Sequence, residues 1–74
     1  MRITKDQYKT ALKNGCGEMT IGNITYAIFG DYGLTVNYPK KTKDGILLLS
    51  KYVSDWKHKT LKQINNEIIN QKWK

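Results

Sequence analysis

The sequence predicts an α+β domain with an N-terminal helix, a three-stranded antiparallel meander and two C-terminal helices packed on one face of the sheet. Three observations carry that prediction. A capping-box spacing opens the chain at Thr4 and Gln7 and recurs at Thr60 and Gln63. Between residues 18 and 38 apolar side chains recur at every second position, the period of a half-buried strand. After Pro39 the period lengthens to three and four, as on a helix.

With 74 residues the chain has room for one core, so residues 1–74 are read as a single small basic domain. A two-domain enzyme with a cleft between its domains is excluded on size. The first helix runs from about residue 5 to 14, capped by Thr4, with Ile3 placed to staple onto Tyr8 and Asn14-Gly15 as the stop. Tyr8, Ala11 and Leu12 fall on its apolar face. In the meander, Met19 and Ile21 lead into Gly22-Asn23, a two-residue turn, and Gly30-Asp31-Tyr32-Gly33 forms the next turn. Parity assigns Ile24, Tyr26, Ile28, Leu34, Val36 and Tyr38 to the covered face. Thr25, Ala27, Phe29, Thr35 and Asn37 then fall on a second face, open to solvent or a ligand.

Pro39 is expected to end the third strand, Lys40-Lys41-Thr42-Lys43 to form a basic loop, and Asp44 to cap a helix. Ile46, Leu49, Val53 and Trp56, spaced by three, four and three, make that helix's stripe, with Leu48 and Tyr52 beside it. Asp44-Gly45 is also a hairpin signal, and a fourth strand is the competing reading; the lack of strict alternation favours the helix. Leu61, Ile64 and Ile68 begin the last helix, which runs to about Lys72, with Trp73 pinning its end to the core. Tyr26, Tyr38, Tyr52 and Trp56 are expected in the core.

The chain has 13 Lys+Arg against 6 Asp+Glu, a formal charge of +7. Residues 1–38 hold four basic and three acidic side chains, a net of +1, whereas residues 39–74 hold nine lysines and three acids, a net of +6. Such an excess points to a phosphate-rich or acidic partner. All but one of the basic residues are lysines, and a point charge suits phosphate oxygens without reading bases. Lys40, Lys41, Lys43, Lys57, Lys59 and Lys62 are the candidate phosphate ligands, and Phe29, on the open face, is the candidate for base stacking. Were about six phosphates neutralised, affinity would fall on the order of a thousandfold between 50 and 200 mM salt. The wealth of Lys, Ile, Asn and Tyr is also what AT-rich coding produces, as in a low-GC bacterium, its phage or a mobile element, and codon bias supplies a second source of the lysine.

Enzymatic constellations are nearly absent, and neither a catalytic residue, a metal site nor a cofactor is expected. His58, the one histidine, lies between Lys57 and Lys59, whose charges repel a cation. Cys16, the one cysteine, sits between two glycines in a tight connection, and a single thiol makes neither an intrachain disulfide nor a thiolate cluster. A reducing cytoplasm is the expected compartment. The first residues lack the apolar run of a signal peptide, the longest apolar run is Ile46 to Leu49, and no membrane partner is expected.

A helix, a three-stranded meander and a further helix preceded by Lys40-Lys41-Thr42-Lys43 resemble a double-stranded-RNA-binding domain. The resemblance implies that the lysine-rich helix start grips phosphates across a groove. That family's Gly-Pro-x-His loop is missing here, and a C-terminal helix is added. A three-stranded sheet with a helix on one face also resembles the arm-binding modules of some integrases. Two functions are carried forward: a sequence-tolerant nucleic-acid-binding accessory protein, and a small inhibitor or modulator that docks on an acidic site of a host protein. A homodimer, through an edge strand or through Ile68, Ile69 and Trp73, is a further expectation.

Overall fold

The computed structural model describes residues 2–21 and 25–74. It contains α1 (Lys5–Asn14), β1 (Gly17–Ile21), β2 (Thr25–Phe29), β3 (Gly33–Thr42), β4 (Gly45–Ser54), a 3-10 turn (Trp56–His58) and α2 (Leu61–Asn70). The four strands form one antiparallel sheet in the order β1-β2-β3-β4. The predicted first turn at Gly22-Asn23, and Ile24, lie outside the described residues.

Both capping boxes form. The Thr4 hydroxyl accepts the Gln7 amide at 3.2 Å while the Gln7 side chain accepts the Thr4 amide at 3.0 Å. Thr60 and Gln63 make the same reciprocal pair at 3.2 and 2.8 Å. Gly15 ends α1 at φ 77°, a left-handed position that glycine occupies without steric cost.

The expected three strands and two C-terminal helices are corrected to four strands and one C-terminal helix. Residues 45–54 are the fourth strand, because Thr42-Lys43-Asp44-Gly45 closes a hairpin rather than capping a helix. Thr42 Oγ1 donates to the Gly45 carbonyl at 3.1 Å, and Gly45 adopts φ +135°. Pro39 does not end β3. Ser50 and Tyr52 turn their main-chain groups away from β3, so the alternate positions Lys51 and Val53, paired with Val36 and Leu34, hold the β3–β4 ladder. By the same alternation the nitrogen of Pro39 points away from β4, on the side where described pairing with β2 has ended at Asn37.

The parity of β2 is also corrected. The Gly30–Gly33 turn, closed by the Gly30 amide on the Gly33 carbonyl at 2.9 Å, sets Phe29 opposite Leu34 and Ala27 opposite Val36. Directly opposed residues share a face, so burying Leu34 and Val36 buries Phe29 and Ala27 with them. Ile28 is turned outward to the uncovered face. Tyr52, expected in the core, is exposed on that same face, and its ring lies across Gly33, where a Cβ would meet the tyrosine hydroxyl at 2.1 Å.

Both helices lie against the other face. The core there is Ile3, Ala11, Ile21, Ala27, Phe29, Leu34, Val36, Val53, Trp56, Ile64 and Ile68, with Tyr8, Met19, Leu61 and Trp73 packed on it. Trp56 joins its parts. Its ring meets Phe29 edge-on at 4.8 Å and Tyr8 at 6.5 Å, and its Nε1 donates to the Gly30 carbonyl at 2.8 Å. The Tyr8 hydroxyl donates to the Lys59 carbonyl, and Asn65 brackets Ile3 by accepting its amide at 2.9 Å and donating to its carbonyl at 3.1 Å. These bonds tie the first residues to the last helix.

Trp56→Ala removes a fully buried ring and is expected to cost about 3–5 kcal/mol, a large share of the stability of so small a domain. Urea denaturation followed by circular dichroism should show no cooperative folded baseline for that variant, while Trp56→Phe keeps one.

Candidate nucleic-acid interface

β3 and β4 outrun the helices that cover the sheet. Residues 40–48 are all exposed, and the molecule measures 40 × 21 × 20 Å. The outer halves of the two strands therefore form a projecting arm. Lys40 and Lys41 occupy adjacent positions of β3, so they point to opposite faces, and Lys43 sits in the turn. Among the described residues none of the three makes an ion pair. Positive charge thus surrounds the tip, offset by Asp44 alone.

The six candidate lysines are not one surface. β4 is ten residues long, so Lys57 and Lys59, just beyond its far end, lie about 30 Å from the turn that holds Lys43. Lys57 is 3.7 Å from Asp31 and lies over the Trp56 ring at 5.8 Å. Lys59 is 2.8 Å from Glu67. Lys62 is exposed in the first turn of α2, beside a shallow groove with Arg2, Asn66 and Ile69. The structure brings Lys40, Lys41 and Lys43 together and sets Lys57, Lys59 and Lys62 apart from them. Phe29 is 2% exposed beneath Trp56, so the expected stacking platform is corrected: no base can reach that ring without opening the core.

One further lysine has a structural task. Lys51 is buried, and its Nζ donates to the Ile68 carbonyl at 2.7 Å while lying 4.5 Å over the Trp73 ring. Ile68 belongs to the last turn of α2, where carbonyls lack helical partners and the dipole favours a cation. Trp73 stands against Tyr38 at 5.5 Å, pinning the tail as expected.

The sequence reading missed the exposed apolar residues of the arm. Ile46, Leu47 and Leu48 are 72%, 52% and 51% exposed, and Pro39 lies opposite Leu48. The signal was there in Asp44-Gly45, since a hairpin turn places the apolar run on a strand with no helix above it.

His58 and Asp55 pair at 2.6 Å on the exposed 3-10 turn, and Cys16 is exposed after α1. Among the described residues no three His, Cys, Asp or Glu side chains cluster to hold a metal. Among the described residues no helix is long and apolar enough to cross a membrane.

The arm lysines and Lys51 should separate in a stability measurement. The Lys40→Ala/Lys41→Ala/Lys43→Ala variant is expected to unfold at the same urea concentration as the parent. Lys51→Ala, which strands the Ile68 carbonyl, is expected to lose about 1–3 kcal/mol. Compared with protein-family models, curated proteins and solved structures, the chain matches none.

Proposed function

We propose that this chain is a sequence-tolerant nucleic-acid-binding accessory protein and that the β3–β4 arm is its binding element. The observation that carries the reading is the projection of Lys40, Lys41 and Lys43 on exposed backbone, free of carboxylate partners among the described residues. Lysines on both faces and in the turn suit backbone phosphates met from several directions. They do not suit the bidentate reading of a base, for which arginine is the usual donor. Stacking by Phe29 is no part of the proposal.

Three lysines per arm set the magnitude. Neutralising about three phosphates gives a salt slope near −2.7, a loss of about 40-fold in affinity per arm between 50 and 200 mM salt. This is far below the thousandfold loss expected had all six lysines formed one face.

Docking on an acidic protein has one observation of its own: the lysines flank exposed Ile46 and Leu48, which share one face of the arm with Pro39, and exposed apolar surface marks protein contacts. Titration of labelled single-stranded DNA, duplex DNA and duplex RNA at low salt decides between the two. Binding that falls at least tenfold in the Lys40→Ala/Lys41→Ala/Lys43→Ala variant, and stays within about twofold in Lys57→Ala/Lys59→Ala/Lys62→Ala, is the expected outcome. No binding to any of the three, with an acidic protein retained after nuclease treatment, would sink the nucleic-acid reading.

A further inference from the structure

The two edges of the sheet are guarded unequally. On β1 the Thr20 carbonyl accepts the Gln7 side chain at 3.0 Å, and Glu18 places a charge on the same short strand. On β4 the inner part of the edge is closed by the tail. The Ser50 amide and carbonyl bond the main chain of Lys74 at 2.8 and 3.2 Å, and those of Tyr52 bond the Gln71 side chain at 2.9 and 2.6 Å. Outward-facing main-chain groups recur at every second residue, so those of Ile46 and Leu48 point the same way. Among the described residues they have no partner. The open stretch is bordered by the tail at Ser50 and by the turn at Gly45.

We propose that this stretch seats a second copy of the chain, the two arms pairing antiparallel about a two-fold axis at Leu47. The register follows from the open positions. Ile46 and Leu48 satisfy both their amides and carbonyls only if Ile46 faces Leu48 of the second copy, and Leu48 faces its Ile46, with the two Leu47 residues opposed at the centre. Four main-chain hydrogen bonds then form, and Leu47 is a close, non-hydrogen-bonded pair.

The side chains are self-complementary in that register. On the helix side of the sheet the row reads Lys40, Leu47, Leu47, Lys40; on the other it reads Lys41, Ile46, Leu48, Pro39, because Lys40 pairs with Leu47, Lys41 with Ile46 and Pro39 with Leu48 within each hairpin. Apolar contacts lie at the centre and lysines at the rim. The two Lys40 positions are three strand spacings apart, about 14 Å, beyond the screening length of about 8 Å at physiological salt. Continuing the register sets residue 44 of the second copy against Ser50, where the tail already lies. The turn must leave the sheet there. The two-fold match of open main-chain positions, apolar centre and lysine rim, absent from an arbitrary strand, favours a second copy as the occupant.

This pairing does not depend on the nucleic-acid reading, although it would deepen it. Two arms bring six lysines to one central surface and double the expected salt slope.

Sedimentation of the full chain without nucleic acid tests it directly. The expected mass is twice 8.6 kDa at high concentration, returning to 8.6 kDa on dilution. Leu48→Pro deletes an outward amide that takes no part in the β3 ladder, and should stay at the single-chain mass with an unchanged circular dichroism spectrum. Should that variant fold poorly, cross-linking reads the same contact. In a Cys16→Ser background, oxidised Leu47→Cys should form a disulfide-linked dimer, while Leu48→Cys, which faces Ile46, should do so at least about tenfold more slowly. A single-chain mass at every concentration, which would leave the edge to a foreign strand, overturns the proposal. So does a dimer indifferent to Leu48→Pro, or equal cross-linking at positions 47 and 48.

Discussion

Two ten-residue helices cannot cover two ten-residue strands. Each helix is about 15 Å long, whereas β3 and β4 each extend for about 33 Å, so roughly half of the hairpin has nothing to pack against. The mismatch divides the molecule into a packed body and a bare arm. In the body, strand positions alternate between buried Leu34, Val36 and Val53 and their outward neighbours. Beyond Pro39 both faces of the hairpin meet solvent.

The same division separates two groups of lysines. Three in the body are engaged, Lys51 with the end of α2, Lys59 with Glu67, and Lys57 with Asp31 and the Trp56 ring, while Lys62 and the α1 lysines Lys5, Lys9 and Lys13 are exposed. Those of the arm have no such partner among the described residues. Net charge alone makes no such distinction. A charge of +7 looked like one basic face, and the fold sets the arm lysines about 30 Å from the engaged Lys57 and Lys59. The apolar run Ile46-Leu47-Leu48 reaches the free end for the same reason. It belongs to a strand whose outer half no helix reaches.

Local features were legible in the sequence and long-range ones were not. Thr4 with Gln7, Thr60 with Gln63, and Gly15 act within a few residues, and the structure forms all three caps. β4 was read as helix because its alternation is hidden. Its outer half is exposed on both sides and need not alternate, and in its inner half the inward position 51 holds a lysine while the outward position 52 holds a tyrosine. Trp56 completes an apparent helical stripe only because a 3-10 turn follows the strand. Phe29 was misplaced because both faces of β2 carry apolar residues, so composition could not choose between them. The Gly30–Gly33 turn made the choice through register. The candidate site inherited both errors. Lys40, Lys41 and Lys43 were found as a cluster and assigned to a loop before a helix, with the parallel to a double-stranded-RNA-binding domain resting on that helix. They stand instead near the tip of a hairpin.

The central claim is that the arm, and not the opposite end of the molecule, meets nucleic acid. Amide chemical-shift mapping of the labelled protein during titration with a short duplex tests it most directly, because every part of the fold is observed at once. The account predicts that shifts concentrate in residues 39–48, vanish at high salt, and spare residues 57–62. Shifts centred on Lys57, Lys59 and Lys62, with the arm unmoved, would contradict it.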